Sequence, residues 1–253
     1  PAERVKSMPA LLGEADLVKT LQQLPGVAVG TEGMTGLYVR GGGADENLYL
    51  LDGNPVYHVN HLLGFFSAFN PDAIKNTRFY KGSFPAEYGG RLSSVVDVRM
   101  NDGNRQEYHG NISVGLLSAR ANLEGPIVKD RSSFNVSVRR TWLDLITGTA
   151  LAIVNKNSDT KESFGYHFFD INAKVNHSFS ERSRAYLSFY MGQDAFRQGS
   201  KEKHEDSDDM FLWRWGNLIG SAGWNYVFGQ KLFGNLMVGY SRFRSHIRQE
   251  AKG

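Results

Sequence analysis

The sequence has no cysteine. Disulfides, thiolate metal sites and cysteine nucleophiles are therefore excluded. It has no run of 18 apolar residues, which excludes a transmembrane helix. Neither charge dominates: 29 lysines and arginines stand against 26 acidic residues, a net of +3, and there is no basic run. That balance is too mild to imply nucleic-acid binding. The chain also lacks an initiator methionine and a signal peptide. It starts at Pro1 and is read as a processed or excised piece. These absences leave a membrane β-barrel open. A membrane β-barrel crosses with strands that alternate apolar and polar residues, and these average to a bland mean hydropathy such as the −0.39 found here.

What is plentiful points the same way. Glycine contributes 28 of 253 residues, above the usual ~7%, and aromatics reach 12%. This pairing suits a β-rich chain with many tight turns. The texture changes near residue 103. In residues 1–103, Leu17, Val18, Leu21 and Leu24 have helical spacing, and Pro25-Gly26 stops the helix. Short β-like runs follow at 27–29, 37–40, 47–51, 77–81 and 94–99, separated by turn strings such as Gly41-Gly42-Gly43 and Asp52-Gly53-Asn54-Pro55. Residues 71–74 read as a single helical turn.

Residues 104–253 repeat one pattern. Phe134, Val136 and Val138 alternate with Asn135, Ser137 and Arg139. Ile171, Ala173 and Val175 alternate with Asp170, Asn172, Lys174 and Asn176. Leu187, Phe189 and Met191 oppose Arg184, Tyr186, Ser188 and Tyr190. With similar segments near 108–124, 211–228 and 232–246, six strands are expected. A period of two sustained over ~10 residues exceeds the usual soluble strand and fits a tilted membrane span. The connections alternate strictly between short and long. Residues 125–130, 180–182 and 229–231 are brief; 143–166 and 193–210 are long. Outer-membrane barrels place short turns on one side and long loops on the other. Trp142, Tyr166, Phe168, Trp213, Trp215 and Trp224 gather at strand ends and are candidates for an interfacial girdle.

Chemical motifs are sparse. The glycine strings match neither the P-loop nor the dinucleotide fingerprint and read as turns. His58 and His61 are three apart, but no third ligand is evident, so no metal site is assigned. The acidic run at 204–209 lacks EF-hand spacing and reads as a solvated loop. No nucleophile elbow and no zinc-protease motif occurs, so neither an enzyme nor a cofactor is expected.

Four strings remain: Leu37-Tyr38-Val39-Arg40-Gly41-Gly42; 47–57 with its Leu51-Asp52-Gly53 core; Phe66-Ser67-Ala68-Phe69-Asn70-Pro71; and Pro85-Ala86-Glu87-Tyr88-Gly89-Gly90-Arg91 running on to Val98. In this order and spacing, over about residues 8–103, they resemble the plug domain of TonB-dependent outer-membrane transporters of the Bacteroidetes type. Residues 104–253 resemble the opening of the same family's barrel. The resemblance implies a mixed α/β plug domain, 1–103, followed by antiparallel transmembrane β-barrel strands, 104–253. These are six of about 22, with the plug filling the lumen. It further implies a piece of a longer protein in the Gram-negative outer membrane. That protein would import a siderophore–iron complex, cobalamin, a peptide or a glycan, with TonB, energised by ExbB/ExbD, and outer-membrane lipid as partners. The strings 37–40 and 50–53 depart from those usual in glycan importers. By the same resemblance, Arg40 and Arg91 lock the plug to barrel glutamates. Tyr57, His58, Asn60 and His61 belong to an apex loop that touches the ligand. A signalling receptor and a soluble β-sandwich binding module remain as alternatives.

Overall fold

The computed structural model describes residues 27–28, 38–39, 47–56, 60–61, 66–67, 69–80, 94–202 and 208–252. Two short antiparallel ladders lie in the first part: β1 (Val27–Ala28) with β2 (Tyr38–Val39), and β5 (Asn60–His61) with β6 (Phe66–Ser67). Between them in sequence run β3 (Asn47–Leu51) and β4 (Asn54–Pro55), and after them β7 (Ile74–Tyr80) and β8 (Ser94–Met100). These four form a mixed sheet in the order β4-β3-β8-β7, with β3 and β8 parallel. The run Val95, Val96 and Val98 is wholly buried, as expected of a central strand covered on both faces.

Local chemistry closes this small unit. Asp52 and Gly53 both take positive φ, 48° and 81°, the geometry that lets a two-residue hairpin follow strand twist. The expected helical turn is a 3-10 turn, Pro71–Ala73. The Asn70 side chain accepts from the Asp72 N–H at 3.1 Å, and Pro71 supplies the fixed φ. The helix expected over 15–23 lies outside the described residues.

The second part is one meander of seven strands, each paired antiparallel with the next: β9 (His109–Val114), β10 (Ser118–Val128), β11 (Ser132–Thr141), β12 (Thr160–Ser178), β13 (Ser183–Glu202), β14 (Asp208–Val227) and β15 (Phe233–Lys252). This corrects the expected six. The segment 108–124 is broken at residues 115–117, where Gly115 N–H bonds back to Ser118 O at 2.8 Å, so it gives two strands. The last four strands are also longer than expected, at 19 or 20 residues. Where a strand rises beyond the apolar belt both of its faces meet polar surroundings. The alternating signal then vanishes while the backbone ladder continues. The loop expected over 193–210 accordingly shrinks to the few residues between β13 and β14. The long β11–β12 connection holds a helix, α1 (Leu143–Val154), packed on β12.

The two faces of this wall are inverted relative to a water-soluble sheet. Toward the small unit, Ser133, Asn135, Ser137 and Arg139 of β11 are buried, as are Asp170, Asn172, Lys174 and Asn176 of β12. On the other face Val136, Val138, Val175, Leu187, Phe189 and Val238 are exposed. Register confirms that these belong to shared rows: Val175 pairs with Leu187, Leu187 with Ala222, and Ala222 with Val238. A polar row hidden and an apolar row bare is the pattern of a wall whose solvent is hydrocarbon. The small unit supplies the cover for the polar row.

Candidate functional site

The richest chemistry lies where the small unit meets the wall. The Asp52-Gly53-Asn54 turn runs along a single inward row of the wall, in which Lys174 pairs with Ser188, Ser188 with Ser221, and Ser221 with Gly239. At one end of this row Lys174 Nζ lies 3.5 Å from Asp52 Oδ1 and 3.1 Å from Asp102 Oδ1, and donates to the Met100 carbonyl at 3.3 Å. Its stem passes the Tyr186 ring, with Nζ 4.8 Å from the ring centre. At the other end no side chain stands at Gly239. A Cβ there would fall 1.6 Å from Asn54 Oδ1, so glycine is what lets the turn approach. The small residues Ser188 and Ser221 fill the space between.

Asp52 is the hub of this junction. Its carboxylate also accepts the Met100 N–H at 3.1 Å, fastening the turn to β8, and its residue is 1% exposed. A dry carboxylate requires a cation and donors, and Lys174 and Met100 provide them. Asp102 is shared between Lys174 and Lys75, the latter at 2.6 Å. Burial alone would raise the Asp102 carboxyl. The two lysines more than offset that and hold it below the ordinary carboxylate value.

Further ties follow along the wall. Arg120 of β10 forms an ion pair with Asp72 at 2.9 Å. The Asp102 carbonyl accepts from Asn176 Nδ2 and from Ser133 Oγ, both at 2.7 Å. Gly103, at φ +88°, lies so close to β11 that a Cβ would meet the Phe134 carbonyl oxygen at 2.2 Å. Tyr190 and Ile219 reach from the wall into the apolar core built by Tyr49, Leu51, Val96 and Val98. The seam therefore combines a small greasy contact with charged and polar stitches.

A second feature lies toward the α1 end of the inward face. Tyr166, Phe168 and Trp215 form a buried aromatic cluster, with Leu117, Leu143, Phe196 and Trp213 against it. Trp213 and Trp215 lie 4.3 Å apart, and Phe196 meets Phe164 edge-on at 5.3 Å. Tyr166 hydroxyl donates to Asp194. This revises the girdle expectation. Tyr166, Phe168 and Trp215 face inward, because an aromatic wall there packs against itself. Trp224, with 47% of its surface exposed, stands on the outward face.

Of the residues singled out from sequence, Arg40, Arg91, Tyr57 and His58 lie outside the described residues. Asn60 and His61 form β5, of which only the backbone pairing is described. Lys174, Asp52, Asp72, Asp102 and Arg120 carry the visible junction, and none of them was singled out from sequence.

A family model described as the TonB-dependent receptor plug domain matches residues 6–96. The chain carries that plug domain. Its sheet packs on the polar face of the inverted wall. No curated protein matches the sequence. Among solved structures, the siderophore receptor PirA from Acinetobacter baumannii shares the fold at 15% identity and a TM-score of 0.51, matching 97% of this chain and 47% of its own. The FrpB iron transporter from Neisseria meningitidis aligns at 14% identity and a TM-score of 0.51, over 98% of this chain and 47% of that one. The outer membrane transporter YddB from Escherichia coli aligns at 10% identity and a TM-score of 0.50, over 97% and 48%. At such identities the likeness is one of fold. The chain spans a little under half the length of these proteins. Its fold is thus a plug followed by the antiparallel strands of a partial barrel.

Proposed function

We propose that the whole receptor is an active importer of the Gram-negative outer membrane. It takes a scarce nutrient from outside and is driven by TonB with ExbB/ExbD. One observation carries this reading: among the described residues, the plug meets the lumen face of the wall mainly through charged and polar contacts, with a small apolar contact at Tyr190 and Ile219. Apolar cores resist force everywhere at once. A seam of discrete ion pairs, with small serines and a glycine between them, can be opened by a pull on one element while the backbone ladders of the wall stay intact. Domain limits near residue 103, and locking roles for Arg40 and Arg91, belong to the same reading.

The aromatic wall at the α1 end is proposed as part of the ligand vestibule, alongside the apex loop with Tyr57, His58, Asn60 and His61. Flat indole and phenol faces, backed by the Asp194 carboxylate, suit a chelate with aryl groups, such as a siderophore carrying iron. The test is uptake of radioactive iron, presented as catecholate or hydroxamate chelates, by cells expressing the full-length receptor. Accumulation is expected only when TonB is present. Equal accumulation without TonB overturns the importer reading, and accumulation of neither chelate overturns the iron assignment.

The orientation makes its own prediction. A cysteine at Ser158, in the β11–β12 connection, is expected to react with a membrane-impermeant thiol reagent on intact cells. A cysteine at Gln230, in the β14–β15 turn, is expected to stay protected. Labelling of both from outside would refute the topology.

A further inference from the structure

At the short-turn end of the wall, four arginines converge on one space. Arg105 lies in the segment leading into β9, Arg131 in the β10–β11 turn and Arg182 in the β12–β13 turn. Each of these three is fixed through its own carbonyl, which accepts a backbone N–H from the neighbouring segment. Asp130 donates to Arg105 at 3.0 Å, Ser178 to Arg131 at 2.8 Å and Val227 to Arg182 at 2.8 Å. The fourth, Arg184, stands on β13 directly between Ser178 of β12 and Asn225 of β14. It precedes Ser188 by four residues and so shares the inward face with the Lys174 row. Arg105 reaches the same face, where its Nη2 donates to Asn176 Oδ1 at 3.1 Å. The two turns are held by strands that are paired on both sides, from β9 to β14.

The four line a cavity of about 710 Å³ together with Ser178 and Asn225, whose short side chains leave its wall open. Two carboxylates, Asp130 and Glu181, share the lining, but among the described residues neither forms an ion pair with any of the four. Four cations against two anions leave a surplus of positive charge around one space. The crowding weighs on Arg105: its guanidinium is held below the ordinary value, first by burial and next by the Arg184 charge, with Asp102 opposing. A concave space lined mainly by one sign of charge raises the local concentration of counter-ions. Guanidinium forks match carboxylate and phosphate oxygens. The volume is that of a site for a chelate-sized solute rather than for one small ion. Position selects where that solute comes from. Ser178 follows Lys174 by four residues on the same face, ~13 Å along the strand. A solute that passes the opened Asp52–Lys174 seam therefore meets the arginines next.

We propose that this cavity is an exit-side binding site for a polyanionic solute, whose acidic groups are held by Arg105, Arg131, Arg182 and Arg184. Its role as an exit rests on the import reading; the anion site itself does not. The experiment is calorimetric titration of full-length receptor in detergent at low ionic strength, with tricarballylate and its uncharged triamide as separate probes. Tricarballylate is expected to bind wild type, and the triamide is not. The Arg182→Gln/Arg184→Gln variant is expected to bind tricarballylate at least about tenfold more weakly, the loss due to two charge-assisted hydrogen-bonding groups. Both side chains are exposed, and Arg182→Gln alone, expected to weaken binding about threefold or more, repeats the test should the double variant fold poorly. Lys231→Gln, in the β14–β15 turn outside the cavity, is expected to bind as wild type does. No binding to wild type, equal binding by wild type and the arginine variants, or equal binding of both probes overturns the site. The exit role is read separately in cells. TonB-driven uptake of an anionic iron chelate is expected to fall in the double variant while that of a neutral chelate holds. An equal effect on both chelates overturns the exit role. Uptake by wild type that ignores TonB overturns the import reading and leaves the calorimetric result standing.

Discussion

Replacing Lys174 by methionine in the full-length receptor is expected to loosen the plug more than any other single change on the wall. The ammonium is the only cation at Asp52 and one of two at Asp102 among the described residues. The substitution keeps the stem and its apolar volume but leaves the 1%-exposed Asp52 carboxylate without a charge partner. Removing one member of a buried pair costs about 3–5 kcal/mol, so the docked population falls by a factor of hundreds or more. Plug release in urea, followed by the conductance of single barrels in a planar bilayer, is expected to move to lower urea by more than about 1 M. Adding Asp52→Asn should recover much of the loss. The amide oxygen still accepts the Met100 N–H while the stranded charge is gone. Lys161→Met, on an exposed part of the same strand, should change nothing. An unchanged release midpoint for Lys174→Met would mean that the seam is held by its apolar core instead.

The sequence announces Lys174 only halfway. Its alternation places Asp170, Asn172, Lys174 and Asn176 on one face, and that face is indeed turned to the plug. It cannot name the partner, because Asp52 is 122 residues away and no local rule links a hairpin turn to a strand so distant. The strands at 134–142 and 169–179 were legible because their apolar row is bare and their polar row meets the plug, which keeps the period of two sharp. Above the belt, Thr160-Lys161-Glu162-Ser163 has no such contrast, and the ladder there is visible only in the structure. The aromatic wall misled for a related reason. Composition shows tyrosine and tryptophan near strand ends but not which face they take.

The second large effect concerns a pair inside the wall itself. Arg139 and Asp170 stand directly opposite each other on β11 and β12. Arg139 Nη2 lies 2.5 Å and Nε 3.1 Å from Asp170 Oδ2, with the guanidinium 5.1 Å from the centre of the Phe168 ring. The two side chains are 1% and 0% exposed. Their row lies at the depth of the outward Val138–Ile171 pair, so charge here is tolerated only because it faces the lumen and is matched. Arg139→Met is expected to destabilise the wall by about 3–5 kcal/mol, because it removes the cation that Nε and Nη2 bring to the buried Asp170 carboxylate. The readout is the urea concentration at which full-length receptor folds into lipid vesicles, scored by heat-modifiable migration. The double change Arg139→Met/Asp170→Leu should recover much of that loss, since an apolar replacement of both partners removes their desolvation cost together. That double variant then separates two roles. If it folds and still accumulates substrate at the wild-type rate, the pair is a strut of the wall. If it folds and uptake fails, the charges serve the passage opened when the plug moves. A double variant that folds no better than Arg139→Met alone would show that the unmatched charge at Asp170 is not the source of the loss.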